Sequence, residues 1–568
     1  MARQILILAL AACLLSAAGA PGGLSLREKA AQLIFVAFSG APPSAESQEY
    51  REVERLVRQV GIGGLVLVNV ANGRLIDRAE PYALAVFLNR LQRLAKTPLL
   101  VAGDFERGVS MRVEDTTVFP HAMAFAAAGD PELTRQQGAV TAREARAIGV
   151  HWVFYPVADV NNNPDNPIIN IRSFGEDPEV VAQHVRAFIE GARLDPRFRV
   201  LTAAKHFPGH GDTAVDTHLN LATIPADRER LERLELIPFR AAIRAGVDSI
   251  MTAHLAVPAL ESPEVPATLS RAILSKLLRQ QLGFKGIVIT DALEMGGIAK
   301  AFGSGEAAVR ALEAGADLLL LPSDPEAALA GVLEAIRKGR IRRKRIEESF
   351  ERLLRAKRAL GLVRQRFVDP GAILETVNTP EAGRKAQEVA DRAVTLLKND
   401  GGTAPLRSPK SAAFLLLTEG RHGSAGQTLS REIRRRAPGA TMIVLDPAMS
   451  WGMLEDAVRQ AQPAETIVVA AFASVAAYRG NLGLAGEYPR LIEALLASGK
   501  PVALVSLGNP YLVRHFPGVS AYLATFSNVP PSEIAAAKAL FGEIPIRGRL
   551  PITIPGIAEY GAGWMAVR

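Results

Sequence analysis

Gly286-Ile287-Val288-Ile289-Thr290-Asp291 is a short apolar run opened by a glycine and closed by a carboxylate. A run of this length, apolar throughout, reads as a strand buried on both faces, the pattern of a parallel sheet covered by helices. The same unit recurs on either side of it. Leu33–Phe38, Leu65–Val70, Leu99–Gly103, Trp152–Val157, Leu201–Ala204, Ser249–Ala253 and Asp317–Leu321 are apolar runs of the same kind. Amphipathic stretches such as Pro131–Ile148 and Asp227–Ala245 separate them. Eight consecutive strand–helix units predict an α/β fold, a TIM-like (β/α)8 barrel over residues 24–362, ending with the basic helix near Ile346–Leu360. A doubly wound open sheet is the alternative, and eight consecutive units favour closure.

Beyond the barrel, Pro370 and Pro380 interrupt the helical pattern, so residues 363–380 read as a linker. A helix over Glu381–Leu397 then opens a second strand series: Ala412–Leu417, Thr441–Leu445, Thr466–Ala471, Val502–Leu507 and Ala521–Phe526. Five such strands alternating with helices predict a smaller α/β sandwich over residues 381–568.

The 568 residues are 48% hydrophobic and 22% charged, the balance of a globular chain too long for one core. The net charge of +8 comes from Lys and Arg mixed with Glu along helices such as Arg337–Arg355. No basic stripe interleaved with aromatics appears, so nucleic acid is not an expected partner. Residues 1–20 read as a signal peptide. Arg3 is the positive end, Ile5–Leu15 the apolar run, and Ser16-Ala17-Ala18 or Ala18-Gly19-Ala20 the cleavage pattern. The run is too short for a bilayer-spanning anchor in the mature protein. Leu10-Ala11-Ala12-Cys13 resembles a lipoprotein box, but Cys13 lies early and Leu14 and Leu15 continue the apolar run. Simple export to the periplasm or medium is the preferred reading, with lipidation of Cys13 the alternative. Cys13 is the only cysteine, so its removal excludes disulfides and thiol catalysis from the mature protein.

In a barrel of this type the chemistry sits where strands end. The polar residues following the apolar runs are Asp104, Asp159, Lys205-His206, His254 and Asp291, which together form a cup for a polar ligand. Asp291, delivered by its strand, can attack an anomeric carbon and form a glycosyl intermediate. Equally, it can cap a helix over Ala292–Ala299. Glu294 is a second carboxylate, placed inside the turn.

The segment Lys205-His206-Phe207-Pro208-Gly209-His210-Gly211-Asp212-Thr213-Ala214-Val215-Asp216-Thr217-His218 cannot be helical through its first half and reads as a loop over the cup. Its three histidines and two aspartates invite a metal, but Pro208 and Gly209 between His206 and His210 break the helix-borne ligand spacing. No metal and no cofactor are expected. Asp216 and His218, one residue apart, can instead form a proton-transfer pair in which the carboxylate sets the imidazole tautomer. The plain alternative is an ordinary loop histidine.

The segment Lys205–His218 resembles the signature loop of the N-acetylglucosaminidase branch of glycoside hydrolase family 3. Thr290-Asp291-Ala292-Leu293-Glu294-Met295 is similar to the family's nucleophile segment. Arg172-Ser173-Phe174-Gly175-Glu176-Asp177-Pro178, following Pro156-Val157-Ala158-Asp159-Val160, is similar to another of its barrel motifs. Ala539-Leu540-Phe541-Gly542-Glu543 and Gly548-Arg549-Leu550-Pro551 resemble the closing motif of its second domain. The resemblance implies Asp291 as nucleophile, His218 as acid/base and Asp216 as its dyad partner. It implies that Asp104, Arg112, Arg172, Lys205 and His206 hold the sugar hydroxyls and N-acetyl group; a ring of salt bridges among strand ends is their structural alternative. One departure is Arg107, which replaces a glycine of the family's loop between Asp104 and Arg112. In other branches the acid is a glutamate of the second domain, for which Glu487 is the local candidate, made redundant by Asp216 and His218.

The function so implied is a retaining exo-β-N-acetylglucosaminidase acting on envelope or chitin-type oligosaccharides, including muropeptides and so peptidoglycan turnover. The rivals are a β-N-acetylglucosaminide phosphorylase, since a neutral imidazole does not repel phosphate, and a catalytically silent glycan-binding envelope protein. Export is checked by the mass of the native protein: the expected N-terminus lies at about residue 21. An intact Met1 in the cytoplasm, or diacylglycerol on Cys13, contradicts it.

Overall fold

The structure, a computed structural model, describes residues 23–40, 44–71, 74–75, 78–217, 221–420, 424–474 and 483–563. The proposed signal segment and Cys13 lie outside the described residues. Strands β1 (Ile34–Ser39), β2 (Gly64–Val68), β3 (Leu100–Gly103), β4 (Trp152–Val153), β5 (Leu201–Phe207), β6 (Ser249–Thr252), β7 (Ile287–Ile289) and β8 (Leu319–Leu320) form one sheet. Their order is β7-β6-β5-β4-β3-β2-β1-β8, every pair parallel. A parallel bridge between Ile289 and Leu318 joins the two ends and closes the barrel.

The interior is filled rather than hollow. Phe35 of β1 and Trp152 of β4 belong to strands that are not neighbours, yet their rings meet edge to face at 5.9 Å. Gly64 on β2 makes room, because a Cβ there would lie 2.2 Å from the Phe35 ring. Outside, the helices Pro131–Ala147, Pro178–Gly191 and Pro325–Arg337 all begin Asp-Pro. The carboxylates of Asp130, Asp177 and Asp324 accept first-turn N–H groups, and the proline at the first helical position needs no partner.

The end of the barrel away from the strand C-termini is closed by a buried charge. Asp317 accepts from Ser349 Oγ at 2.7 Å and Val288 N at 3.0 Å, and is paired with Arg345 at 3.2 Å, Arg352 at 3.1 Å and Arg279. Burial alone would raise its pKa, but the three arginines outweigh burial and hold it below the usual carboxylate value.

The second domain carries β9 (Thr395–Asn399), β10 (Ala412–Leu417), β11 (Thr441–Leu445), β12 (Thr466–Ala473), β13 (Val502–Gly508) and β14 (Ala521–Ala524). The order is β9-β14-β13-β12-β10-β11, parallel except for the β9 edge, with an apolar core on each face. β9 corrects the sequence reading, which ran a helix through Leu397. The helix is Pro380–Ala393. Its apolar period continues into Leu396 and Leu397, but pairing of Thr395–Asn399 with β14 wins over local pattern.

The two domains meet over the loop that follows β4. Glu176 accepts from the N–H and Oγ1 of Thr553, both at 2.7 Å. Asn161 Nδ2 donates to Tyr511 Oη at 3.0 Å, and Asn170 Nδ2 to Asn509 Oδ1 at 3.3 Å.

Replacing Asp317 by Asn leaves three arginines around an uncharged group and should cost about 3–5 kcal/mol in denaturant unfolding. The depressed folded pKa means that Asp317 stabilises above its unfolded value, and this is lost as pH falls through the folded value. The variant should therefore lose that acid-side decline; a change below about 1 kcal/mol contradicts the assignment.

Candidate active site

Asp104 follows β3 directly, and its carboxylate is the anchor of a buried ion cluster. Lys205 Nζ lies 2.7 Å from Asp104 Oδ1 and 2.8 Å from Glu106 Oε1. Arg172 donates to Glu106 twice, from Nε at 2.9 Å and Nη2 at 2.8 Å, while its Nη1 reaches the Ile168 carbonyl at 2.8 Å. Arg112 approaches Asp104 Oδ2 at 3.5 Å and donates to Asn69 Oδ1 at 3.2 Å. The Lys205 side chain is 2% exposed and that of Asp104 27%, so the carboxylate faces the cup and the ammonium stays beneath it. Burial would raise the pKa of Asp104, but the charges of Lys205 and Arg112 lower it further than burial lifts it. For Glu106 the same contest is won by Arg172 and Lys205. Burial opposes the Lys205 charge, and the two carboxylates restore it, leaving its pKa raised.

β5 runs to Phe207, so Lys205 and His206 lie inside the strand and not after it. This corrects the shorter strand read from sequence: Lys205-His206-Phe207 is polar only at positions the cup requires. Asp159 then organises the loop. Its Oδ1 accepts from His206 N at 3.0 Å and His210 N at 2.8 Å, and its Oδ2 meets His206 Nδ1 at 2.7 Å. With Nδ1 held by a carboxylate, His206 offers its Nε2 edge to a ligand. His210 is anchored to Thr217 Oγ1 at 2.8 Å. Burial, with His206 alongside, pushes its pKa down to about 4. It is neutral near pH 7 and serves the loop's shape.

Close packing holds that loop against the segment that follows β4. A Cβ on Gly211 would stand 1.6 Å from the Val160 carbonyl oxygen, so only glycine fits. Asn166 Nδ2 donates to the carbonyls of His210 and Gly211 at 2.9 and 2.8 Å. The chain then brings Asp216 and Thr217 into buried positions. His218 lies outside the described residues.

Asp291 stands two residues past β7, and its Oδ1 accepts from Ala292 N at 2.8 Å. It caps no helix over Ala292–Ala299: the helix there is Gly296–Ala299, and Met295 occupies its cap. His254 secures the backbone beside it, with Nε2 on the Ala292 carbonyl at 2.9 Å and Nδ1 on Thr268 Oγ1 at 2.8 Å. The end of the histidine loop packs against the same turn, since a Cβ on Gly297 would lie 3.4 Å from the Thr217 carbonyl and 3.3 Å from His254 Cβ. Glu294 is exposed. Glu487, the candidate of the second domain, is 49% exposed and paired with Arg490 at 3.6 Å.

Glu106 and Asn69 are the partners that sequence reading missed. Glu106 is two residues past Asp104, and in extended chain that spacing puts both on one side. Asn69 has no such signal. Arg107 leaves the Asp104–Arg112 contact in place. Among the described residues, no three His, Cys, Asp or Glu side chains are grouped to hold a metal.

A closed parallel barrel with an acidic and basic cup at its strand ends, followed by an α/β sandwich, defines a two-domain polar-ligand enzyme. The profile of the Glycosyl hydrolase family 3 N terminal domain matches residues 25–356, and that of the family's C-terminal domain matches residues 394–562. The chain is 30% identical over 561 residues to beta-hexosaminidase A of Pseudoalteromonas piscicida, covering 89% of this chain and 91% of the relative. A solved family 3 beta-N-acetylglucosaminidase from Paenibacillus sp. str. FPU-7 superposes with a TM-score of 0.83 at 33% identity, covering 94% of this chain and 99% of that one. A beta-glucoside phosphorylase superposes with a TM-score of 0.81 at 25% identity, covering 94% and 95%. This chain belongs to glycosyl hydrolase family 3 and is a glycoside hydrolase.

Replacing Lys205 by Met tests the ion cluster. Removing the cation leaves Asp104 and Glu106 as neighbouring buried carboxylates, and their pKa values rise. The acid limb of kcat/KM on an aryl glycoside should then move to higher pH, with KM raised near neutrality. An unmoved acid limb contradicts the role of Lys205.

Proposed function

We propose that this chain is a retaining exo-β-N-acetylglucosaminidase with Asp291 as nucleophile and the Asp216–His218 pair as acid/base. The observation that carries the reading is the meeting of Asp291's turn with the histidine loop, through the packing of Gly297 against Thr217. The names of the hexosaminidase and N-acetylglucosaminidase relatives support the sugar. Asp104 and Arg112 are the natural hydroxyl-binding pair, since an ionised carboxylate accepts from vicinal hydroxyls and a guanidinium donates to them. His206 adds its free edge, while Lys205 and Arg172 keep Asp104 and Glu106 ionised and in place.

In the first half-reaction the Asp291 carboxylate bonds to the anomeric carbon as the glycosidic C–O bond breaks, and His218 gives its proton to the leaving oxygen. In the second, His218 takes a proton from water as that oxygen bonds to the anomeric carbon and the ester to Asp291 breaks. The scheme uses no metal or cofactor. Phosphorolysis is the second reading, favoured specifically by the phosphorylase neighbour. We further propose that the protein is exported and acts on envelope glycans, muropeptides among them, in peptidoglycan turnover; the basic chain suits residence near anionic envelope polymers.

The leaving-group comparison tests this reading, assayed in the presence of a chelator. Asp291→Ala should abolish turnover with the fold intact. His218→Ala should retain part of its activity on nitrophenyl β-N-acetylglucosaminide but lose roughly 10²–10⁴-fold on a disaccharide, whose leaving group needs the proton. Azide should rescue the variant by replacing the activated water. Equal losses on both substrates, without rescue, would leave His218 a binding residue only.

A further inference from the structure

We propose that a cavity at the N-terminal end of the barrel strands is a binding site for a phosphate group. It lies at the end of the barrel away from the cup, so it stands independently of the reading of the cup. The cavity measures about 190 Å³ and is bounded by the residues that precede β5, β6 and β7 and by one face of the helix Arg343–Ala359. Arg199, Lys285, Arg352 and Arg355 line it, together with one carboxylate, Asp248. A water takes up about 30 Å³ of the liquid. The space is therefore ample for a tetrahedral oxyanion and the ester that carries it.

The charge around the cavity does not balance. Asp248 is already spent. Its Oδ1 accepts from Arg199 Nη2 at 3.0 Å, and its Oδ2 pairs with Arg193 Nη2 at 2.8 Å and accepts from the N–H and Oγ1 of Thr202 at 3.0 and 3.2 Å. Arg352 Nη1 reaches the buried Asp317 at 3.1 Å, but Arg279 and Arg345 share that carboxylate. Two carboxylates thus serve five arginines, two on Asp248 and three on Asp317, before Lys285 and Arg355 are added. Lys285 and Arg355 are exposed, and neither side chain forms an ion pair with a described carboxylate. The buried Nε of Arg199 has no hydrogen-bond partner among the described residues.

The surplus is held in place. Arg279 Nη1 donates to the carbonyls on both sides of Lys285, those of Phe284 at 3.0 Å and Gly286 at 2.6 Å. A Cβ on Gly286 would lie 2.5 Å from the Asp248 carbonyl oxygen, which accepts the Ile287 N–H at 2.9 Å. The backbone that carries Lys285 is therefore fixed beside Asp248, while Arg352 and Arg355 are carried by the helix. Cations reach one space from the starts of two strands and from a helix, so they meet a guest from several sides. That suits a tetrahedral, multiply charged phosphate, which accepts from several donors at once, better than a planar carboxylate. Two sources carry this chemistry: free phosphate, and the phosphate of a lipid headgroup. A headgroup held here leaves the cup, at the other end of the barrel, open to a glycan.

The test compares the full-length wild type with Lys285→Ala/Arg355→Ala and with a charge-matched control, Arg343→Ala/Arg358→Ala, which alters two exposed residues of the same helix outside the cavity. All three proteins should unfold at the same temperature, since every substituted residue is exposed. At constant ionic strength, titration calorimetry with inorganic phosphate should show equal binding to wild type and control, weakened about tenfold or more in the cavity variant. Lys285→Glu alone should weaken phosphate at least as much, by setting a like charge against it. Sedimentation with phosphatidylglycerol vesicles separates the sources. Vesicle binding that is lost in the cavity variant, kept in the control and competed by phosphate identifies the headgroup. A calorimetric difference without variant-sensitive vesicle binding identifies free phosphate. Failure of both probes to bind wild type would overturn the proposal, as would an equal loss in the control. Phosphate binding that the cavity variant leaves unchanged would place the anion elsewhere, in the cup for instance, and would overturn it too.

Discussion

Lys205 Nζ, with Asp104 on one side and Glu106 on the other, ties β5 to the segment after β3 beneath the cup. Charges buried in this way stabilise a single arrangement only when every partner is present, and removing one costs about 3–5 kcal/mol. Arg172 extends the cluster to the loop after β4. That loop is in turn gripped by the second domain through Glu176–Thr553 and Asn161–Tyr511. A chain of contacts thus runs from the sandwich domain to the carboxylate that faces the cup. The second domain acts on the site as a brace for this loop, and its own Glu487 is turned outward.

The two ends of the barrel use buried charge for different ends. Around Asp317, three arginines and two hydrogen bonds saturate one carboxylate, and none of it faces a ligand. At the opposite end the pairing is incomplete: the Asp104 carboxylate keeps accessible surface beside the cup. Saturated charge closes a fold, whereas unsaturated charge at strand ends recognises a ligand.

Much of this was legible in the sequence because the barrel strands are buried on both faces and therefore read as unbroken apolar runs. All eight were recognised, and the polar residues following five of the runs led to Asp104, Asp159, Lys205-His206, His254 and Asp291. The misses have physical causes. Thr395–Asn399 continues a helical period and becomes a strand only because β14 supplies its partner. The helix over Ala292–Ala299, the alternative reading of Asp291, is only Gly296–Ala299, because Leu293 and Glu294 donate their N–H groups to the carbonyls of Leu320 and Leu321 instead. Glu106, two residues past Asp104, was passed over because its role exists only through Lys205 and Arg172, which lie about a hundred residues and 66 residues away in sequence. The Asp216–His218 pair was readable only as spacing and resemblance, and His218 stands outside the described residues.

The central claim is that a carboxylate at the end of β7 becomes covalently bonded to the sugar. Trapping with a 2-fluoro or 5-fluoro β-N-acetylglucosaminyl-type inactivator, followed by peptide mapping, tests this directly. The account predicts one sugar adduct per chain on the peptide containing Thr290-Asp291-Ala292, with the ester on Asp291 and none on Glu294. An adduct on Glu294, or inactivation without any adduct on this peptide, would contradict it.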